Sequence, residues 1–101
     1  MDRLPLNALR AFALVLERGG VRAAARELAI SHSAVSRHLK ELERWLGVAL
    51  LEKRDGGGLR ATAQGQLLAE AARNALHGMQ QAVMQIEIVD RERAHAAEPP
   101  R

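Results

Sequence analysis

Ser33, Arg37, Lys40 and Arg44 recur at steps of four and three, so on an α-helix they form one row. His32 and Ser36 stand beside the start of that row. The row offers hydroxyl and guanidinium donors and positive charge, a set suited to a polyanion with hydrogen-bond acceptors. Catalytic readings of the same residues fail. Ser33, His38 and Glu41 are near one another along a single helix, which does not make a nucleophile, base and orienting group. His32, His38, His77 and His95 lack a metal-binding spacing with acidic partners. Gly56 to Gly58 lies between two strand-like segments, with no helix start directly after it, so it does not read as a phosphate loop. No cysteine is present, which excludes disulfides and thiolate metal sites. No enzyme and no cofactor are expected.

The elements that position this row can be read from apolar spacing. Leu6, Leu9, Phe12, Ala13 and Leu16 mark an amphipathic first helix that begins near Pro5 and stops at Gly19-Gly20. A short second helix is expected over roughly 21–29, burying Val21, Ala24, Ala25 and Leu28. Ser31 is a good N-cap for a third helix over about 33–46, with Gly47 as its stop. Val35, Leu39, Leu42 and Leu46 form its buried stripe. Arg37 falls about 200° round the helix from Val35, so the polar row faces outward. Segments 50–54 and 59–62 read as strands joined through Asp55-Gly56-Gly57-Gly58, a hairpin signal. Thr62 is placed to cap a long helix reaching about Arg91, and 93–101, with Pro99-Pro100, reads as a flexible tail.

Length and charge bound the rest. A chain of 101 residues supports one small domain plus an appended helix, with little room to enclose a ligand pocket. Lys and Arg exceed Asp and Glu by three, a weak lean toward polyanionic partners. No signal sequence and no membrane-length apolar run is evident, so the cytoplasm is the expected location, with no membrane partner.

Three short helices with a tight turn between the second and third make a helix-turn-helix, whose second helix enters the DNA major groove. His32, Ser33, Ser36 and Arg37 lie at the reading end and are the expected base contacts, Arg37 by a paired bond to guanine. Lys40, a turn further along, is better placed for phosphate. Lys53 and Arg54 flank the hairpin tip on one strand and Arg60 on the other. Arg54 is the expected minor-groove residue, because a narrow minor groove attracts an inserted arginine. Arg22, Lys53 and Arg60 join Lys40 as expected phosphate contacts. Trp45, at the end of the third helix, is expected to pack beside the hairpin rather than stack on a base.

On the long helix Leu68, Ala72, Ala75, Met79, Ala82, Ile86 and Val89 alternate steps of four and three, a heptad seam. Part of it could cover the small domain. The distal half has nothing left in the chain to pack on, so a second copy is the expected partner. The plainer alternative is a single helix folded back on its own domain.

In order and spacing, these segments resemble the LysR-type regulators. The resemblance rests on Asn7-Ala8-Leu9-Arg10-Ala11-Phe12, Ala24-Ala25-Arg26-Glu27-Leu28, Ser31 through Arg37, Leu42-Glu43 before Leu46-Gly47, and Leu50, Arg54, Leu59 and Thr62. It covers about residues 4–90. It implies pairing through antiparallel linker helices, here about 63–91, and reading of an interrupted palindromic operator in double-stranded DNA. It also implies a small-molecule effector bound by a C-terminal domain that this chain lacks. Three positions depart from the family pattern. His32 stands where Gln is usual, so base preference there should differ and vary with pH. Leu51 replaces a typical Phe, which should loosen packing under the hairpin, and Gly20 replaces a common Ser.

The expected fold is mainly α: a winged helix-turn-helix over 1–62, three helices plus a two-stranded wing, followed by a long dimerisation or linker helix over 63–92. The rival reading is a winged helix serving as a dimerising protein-protein module, whose binding would change little with salt, whereas DNA affinity should fall steeply.

Overall fold

The computed structural model describes residues 4–97. Its elements run α1 (Leu6–Arg18), α2 (Val21–Leu28), α3 (His32–Leu46), β1 (Leu51–Lys53), β2 (Leu59–Ala61) and α4 (Ala63–Ala97). This is the mainly helical, winged helix-turn-helix architecture with a long terminal helix.

Local chemistry sets the boundaries. Pro5 precedes α1 and its carbonyl accepts from Leu9 N–H at 2.9 Å. Gly19 closes the helix by donating to the Val15 carbonyl. Between α2 and α3 the chain turns through Ala29, a non-glycine residue with φ 57°. The left-handed strain there is offset by bonds from Ala29 and Ile30 N–H back to the carbonyls of Arg26 and Ala25. The Ser31 hydroxyl accepts from Ala34 N–H at 3.1 Å, the expected cap. It lets α3 begin at His32, one residue ahead of expectation.

α1 is the central element, packed against α2, α3 and the first turns of α4. Phe12 of α1 and Val35, Leu42 and Leu50 around it are the largest fully enclosed side chains. The buried face of α1 is wider than a single stripe: Ala8, Ala11, Phe12, Ala13, Leu14 and Val15 are all buried. Leu6, expected inside, is instead 65% exposed, because it lies in the first turn and enclosure begins only with Ala8. Ala24 and Ala25 of α2 are buried while Val21 and Leu28 pack at the margin. The small alanines let α2 approach α1 and α3 closely.

The wing is shorter than its sequence suggests, three residues per strand, paired Leu51 to Ala61, Glu52 to Arg60 and Lys53 to Leu59. Its tip closes with Arg54 N–H donating to the Gly58 carbonyl at 3.0 Å and Gly57 N–H to the Arg54 carbonyl at 3.1 Å. Gly56, Gly57 and Gly58 all have φ between 83° and 102°, a run of left-handed residues that side chains would strain.

α4 runs 35 residues to Ala97, past the stop expected near Arg91. Residues 94–97 contain three alanines, the strongest helix formers, and no breaker before Pro99. Residues 93–97 are therefore helical, and the remaining tail, 98–101, lies outside the described residues. Gly65 and Ala69 are buried, and Leu68, Ala72 and Leu76 half-buried, where α4 crosses the domain. From His77 to Ala94 every residue is exposed.

Candidate nucleic-acid interface

α3 places the expected reading residues together. His32, Ser33, Ser36, Arg37, Lys40 and Arg44, with Glu41, line one shallow groove on its outer side. Opposite them Val35, Leu39 and Leu42 anchor the helix in the core, leaving the outer row rotationally fixed. His32 and Ser33 occupy the first turn, where free backbone N–H groups and the positive end of the helix dipole add to the local field. Arg37 is well exposed, and its Nε lies 3.8 Å from Glu41 Oε1. That separation, between two exposed groups, is a loose pair that a stronger acceptor can displace. Trp45, near the end of α3, is 38% exposed and is not part of the core cluster.

The wing separates its cations. Residues directly opposite on paired strands share a face, and successive residues alternate. Glu52 and Arg60 therefore project together, and Arg60 Nε donates to Glu52 Oε1 at 2.8 Å. Lys53 projects on the other face with Leu51, Leu59 and Ala61. Arg54 stands at the tip, exposed. Arg22, on the first turn of α2, is exposed as well.

Other contacts carry no obvious sequence signal. The Glu43 carboxylate Oε2 accepts from Leu50 N–H at 2.7 Å and from Leu51 N–H at 3.3 Å. Thr62 Oγ1 donates to the Ala49 carbonyl at 2.7 Å and accepts from Gly65 N–H at 3.0 Å, so the expected cap also ties down the chain entering the wing. Arg18 and Glu27 pair at 2.8 Å between α1 and α2. Among the described residues no group of His, Cys, Asp or Glu side chains comes together as a metal site. No helix of the described residues is long and apolar enough to cross a membrane.

The seam residues fall into two sets. Leu68 packs on the domain core and Ala72 is half-buried beside it. Ala75, Met79, Ala82, Ile86 and Val89 are exposed, and Val83 adds to the same uncovered stretch.

Residues 6–66, well over half of the chain, match the family model described as the bacterial regulatory helix-turn-helix protein of the lysR family. The chain belongs to the LysR family. It carries that family's DNA-binding helix-turn-helix, and the family is regulatory, not catalytic. It is 41% identical over 78 residues to the AhcY transcriptional activator HvrB of Rhodobacter capsulatus, covering 77% of this chain and 26% of that protein. It is 45% identical over 74 residues to the transcriptional regulator TrpI of Pseudomonas aeruginosa, covering 73% of this chain and 25% of TrpI. The chain thus spans about a quarter of the length of the curated relatives it matches. Among solved structures it resembles the BenM DNA-binding domain in complex with catB site 1 DNA, with a TM-score of 0.75 and 28% identity, covering 96% of this chain and all of that one. It also resembles the CbnR DNA-binding domain bound to DNA, with a TM-score of 0.68 and 34% identity, covering 92% and 99% of the two chains.

Proposed function

We propose that this chain binds double-stranded operator DNA sequence-specifically as a homodimer. In it α3 lies in the major groove, the wing lies at the minor groove, and the distal halves of two α4 helices pair. The observation that carries this reading is the outer face of α3. His32, Ser33, Ser36, Arg37 and Lys40 line one uncovered groove at the N-terminal end of a helix whose opposite face is locked in the core. His32, Ser33, Ser36 and Arg37 read bases, and Lys40, Arg22 and Lys53 hold phosphates. Arg54 enters the minor groove. Arg60 serves a phosphate only when it leaves Glu52.

Pairing is supported by the uncovered apolar residues from Ala75 to Val89, which a lone helix in water would not gain from displaying. In the pattern of LysR-type regulators, a small-molecule effector acts through a C-terminal domain beyond residues 1–101, and the whole regulator works on DNA in the bacterial cytoplasm.

Selection from random duplex DNA, followed by sequencing and a salt titration on the winning site, tests the proposal. A two-fold-related motif with affinity falling steeply as salt rises is the expected result. Absence of any enriched motif from folded protein, with binding to other proteins insensitive to salt, would replace it with the protein-protein module.

A further inference from the structure

The wing has little to hold it. It is two strands of three residues, and residues 52–60 are all exposed. An isolated hairpin of this size is marginal in water, so its direction depends on its root. That root is Leu50, whose side chain is 2% exposed and whose peptide groups are held from two sides. Its carbonyl accepts from Thr62 N–H at 2.9 Å, where the chain leaves β2. Its N–H, with that of Leu51, donates to one oxygen of Glu43 on α3.

Glu43 therefore acts twice. Its backbone carbonyl accepts from Gly47 N–H at 2.7 Å and ends α3, and its side chain catches the chain again as β1 begins. A carboxylate accepting two backbone N–H groups is a stronger tether than a neutral acceptor. Its neighbour Glu41 points instead along the reading face, toward Arg37. Among the described residues, the Glu43 bonds are the side-chain hydrogen bonds between α3 and the root of the wing.

We propose that Glu43 is a positioning residue for DNA recognition, whose carboxylate fixes the wing to the reading helix so that Arg54 meets the minor groove at a set distance from Arg37. This rests on the assignment of α3 and the wing to DNA made above. The charge of Glu43 faces the protein's own backbone, not the DNA, so its effect passes through the wing.

The test is a pair of double-mutant cycles on the full 101-residue chain, with affinity for the selected operator as the readout. Glu43→Ala combined with Arg54→Ala should bind no worse than Arg54→Ala alone, since each change removes the same contact. Glu43→Ala combined with Arg37→Ala should show losses that multiply, because α3 itself stays in place. Each single change is expected to weaken binding on the order of tenfold. The amides of Leu50 and Leu51 should exchange hydrogen faster in Glu43→Ala. Glu43→Gln, which keeps a neutral acceptor, should show a smaller loss and the same lack of additivity with Arg54→Ala, and it covers the case in which the alanine variant does not fold. If Arg54→Ala leaves affinity unchanged, the minor-groove role of the wing is wrong and the role of Glu43 goes with it. If Arg54→Ala weakens binding but the Glu43 and Arg54 losses multiply in full, the wing assignment stands and the positioning role is overturned.

Discussion

Arg60 and Glu52 face each other across the wing in direct register, with the guanidinium Nε 2.8 Å from the carboxylate Oε1. The pair neutralises one of the wing's cations and leaves a carboxylate on the face that Arg60 occupies. Both side chains are substantially exposed, so the pair contributes little to stability. Its consequence is for DNA, where a free Arg60 would meet phosphate and a free Glu52 would repel it. Glu52→Gln should therefore tighten binding and steepen the slope of log affinity against log salt by roughly one unit, the signature of one added phosphate contact. Fluorescence anisotropy across a salt series reads this directly. An unchanged slope would keep Arg60 away from phosphate altogether.

Arg37 is the strongest candidate for base discrimination, since its own pairing with Glu41 is loose at 3.8 Å. Arg37→Ala should cost about 1–3 kcal/mol of preference for the matched operator over one altered at the contacted base pair. Its melting temperature should barely move, because the side chain is largely exposed and its one ion pair, with Glu41, is loose. Equal ratios of matched to mismatched affinity in variant and parent would remove Arg37 from the reading set.

Ala75 is an exposed seam position in the last of the turns of α4 that cross the domain. Ala75→Glu should raise the dimer dissociation constant by at least tenfold, by placing like charges in an apolar seam. Leu68→Glu should instead lower thermal stability, since Leu68 packs on the domain's own core. Sedimentation and thermal melts separate the two. A dimer indifferent to Ala75→Glu would mean that another register or another face is used.

Much of this was legible from residue spacing, and what was not has a common cause. Apolar steps of three and four located all four helices, and the capping residues Ser31, Gly47 and Thr62 fell where their chemistry placed them. That His32, Ser33, Ser36, Arg37, Lys40 and Arg44 share the outer face of α3 followed from the same periodicity. Leu6 was misplaced because spacing tells which face a residue occupies, not how far along the helix its neighbours extend. The end of α4 was set too early because alanines supply helix propensity without an apolar stripe to count. Arg60 read as a free cation because its partner lies eight residues away and is brought opposite only by strand register. Glu43 left no mark of its purpose, since a carboxylate that accepts backbone N–H groups looks in sequence like any solvated helix residue.

Gly65 is another residue whose importance comes from tertiary approach. A Cβ built there would overlap the Leu50 carbonyl oxygen and come within 3.3 Å of the Ala61 Cβ. Gly65→Ala should destabilise the domain by about 1–3 kcal/mol, or push α4 away from the root of the wing. A denaturation midpoint equal to that of the parent, with unaltered half-site spacing in the selected operator, would show that the approach is not needed.

Gly65 sits at the near end of a rod. At 1.5 Å per residue a 35-residue helix is about 52 Å long. Pivoting it by about 4° at Gly65 swings its far end through about 3.5 Å, close to the rise of one base pair. In a pair joined through the distal halves, the play at that pivot would become the tolerance in operator geometry. A loose pivot would accept sites that differ by a base pair in spacing, and a tight one would reject them. The missing side chain of one glycine, by letting helix and wing root seat against each other, would then serve as the bearing of a caliper that measures DNA.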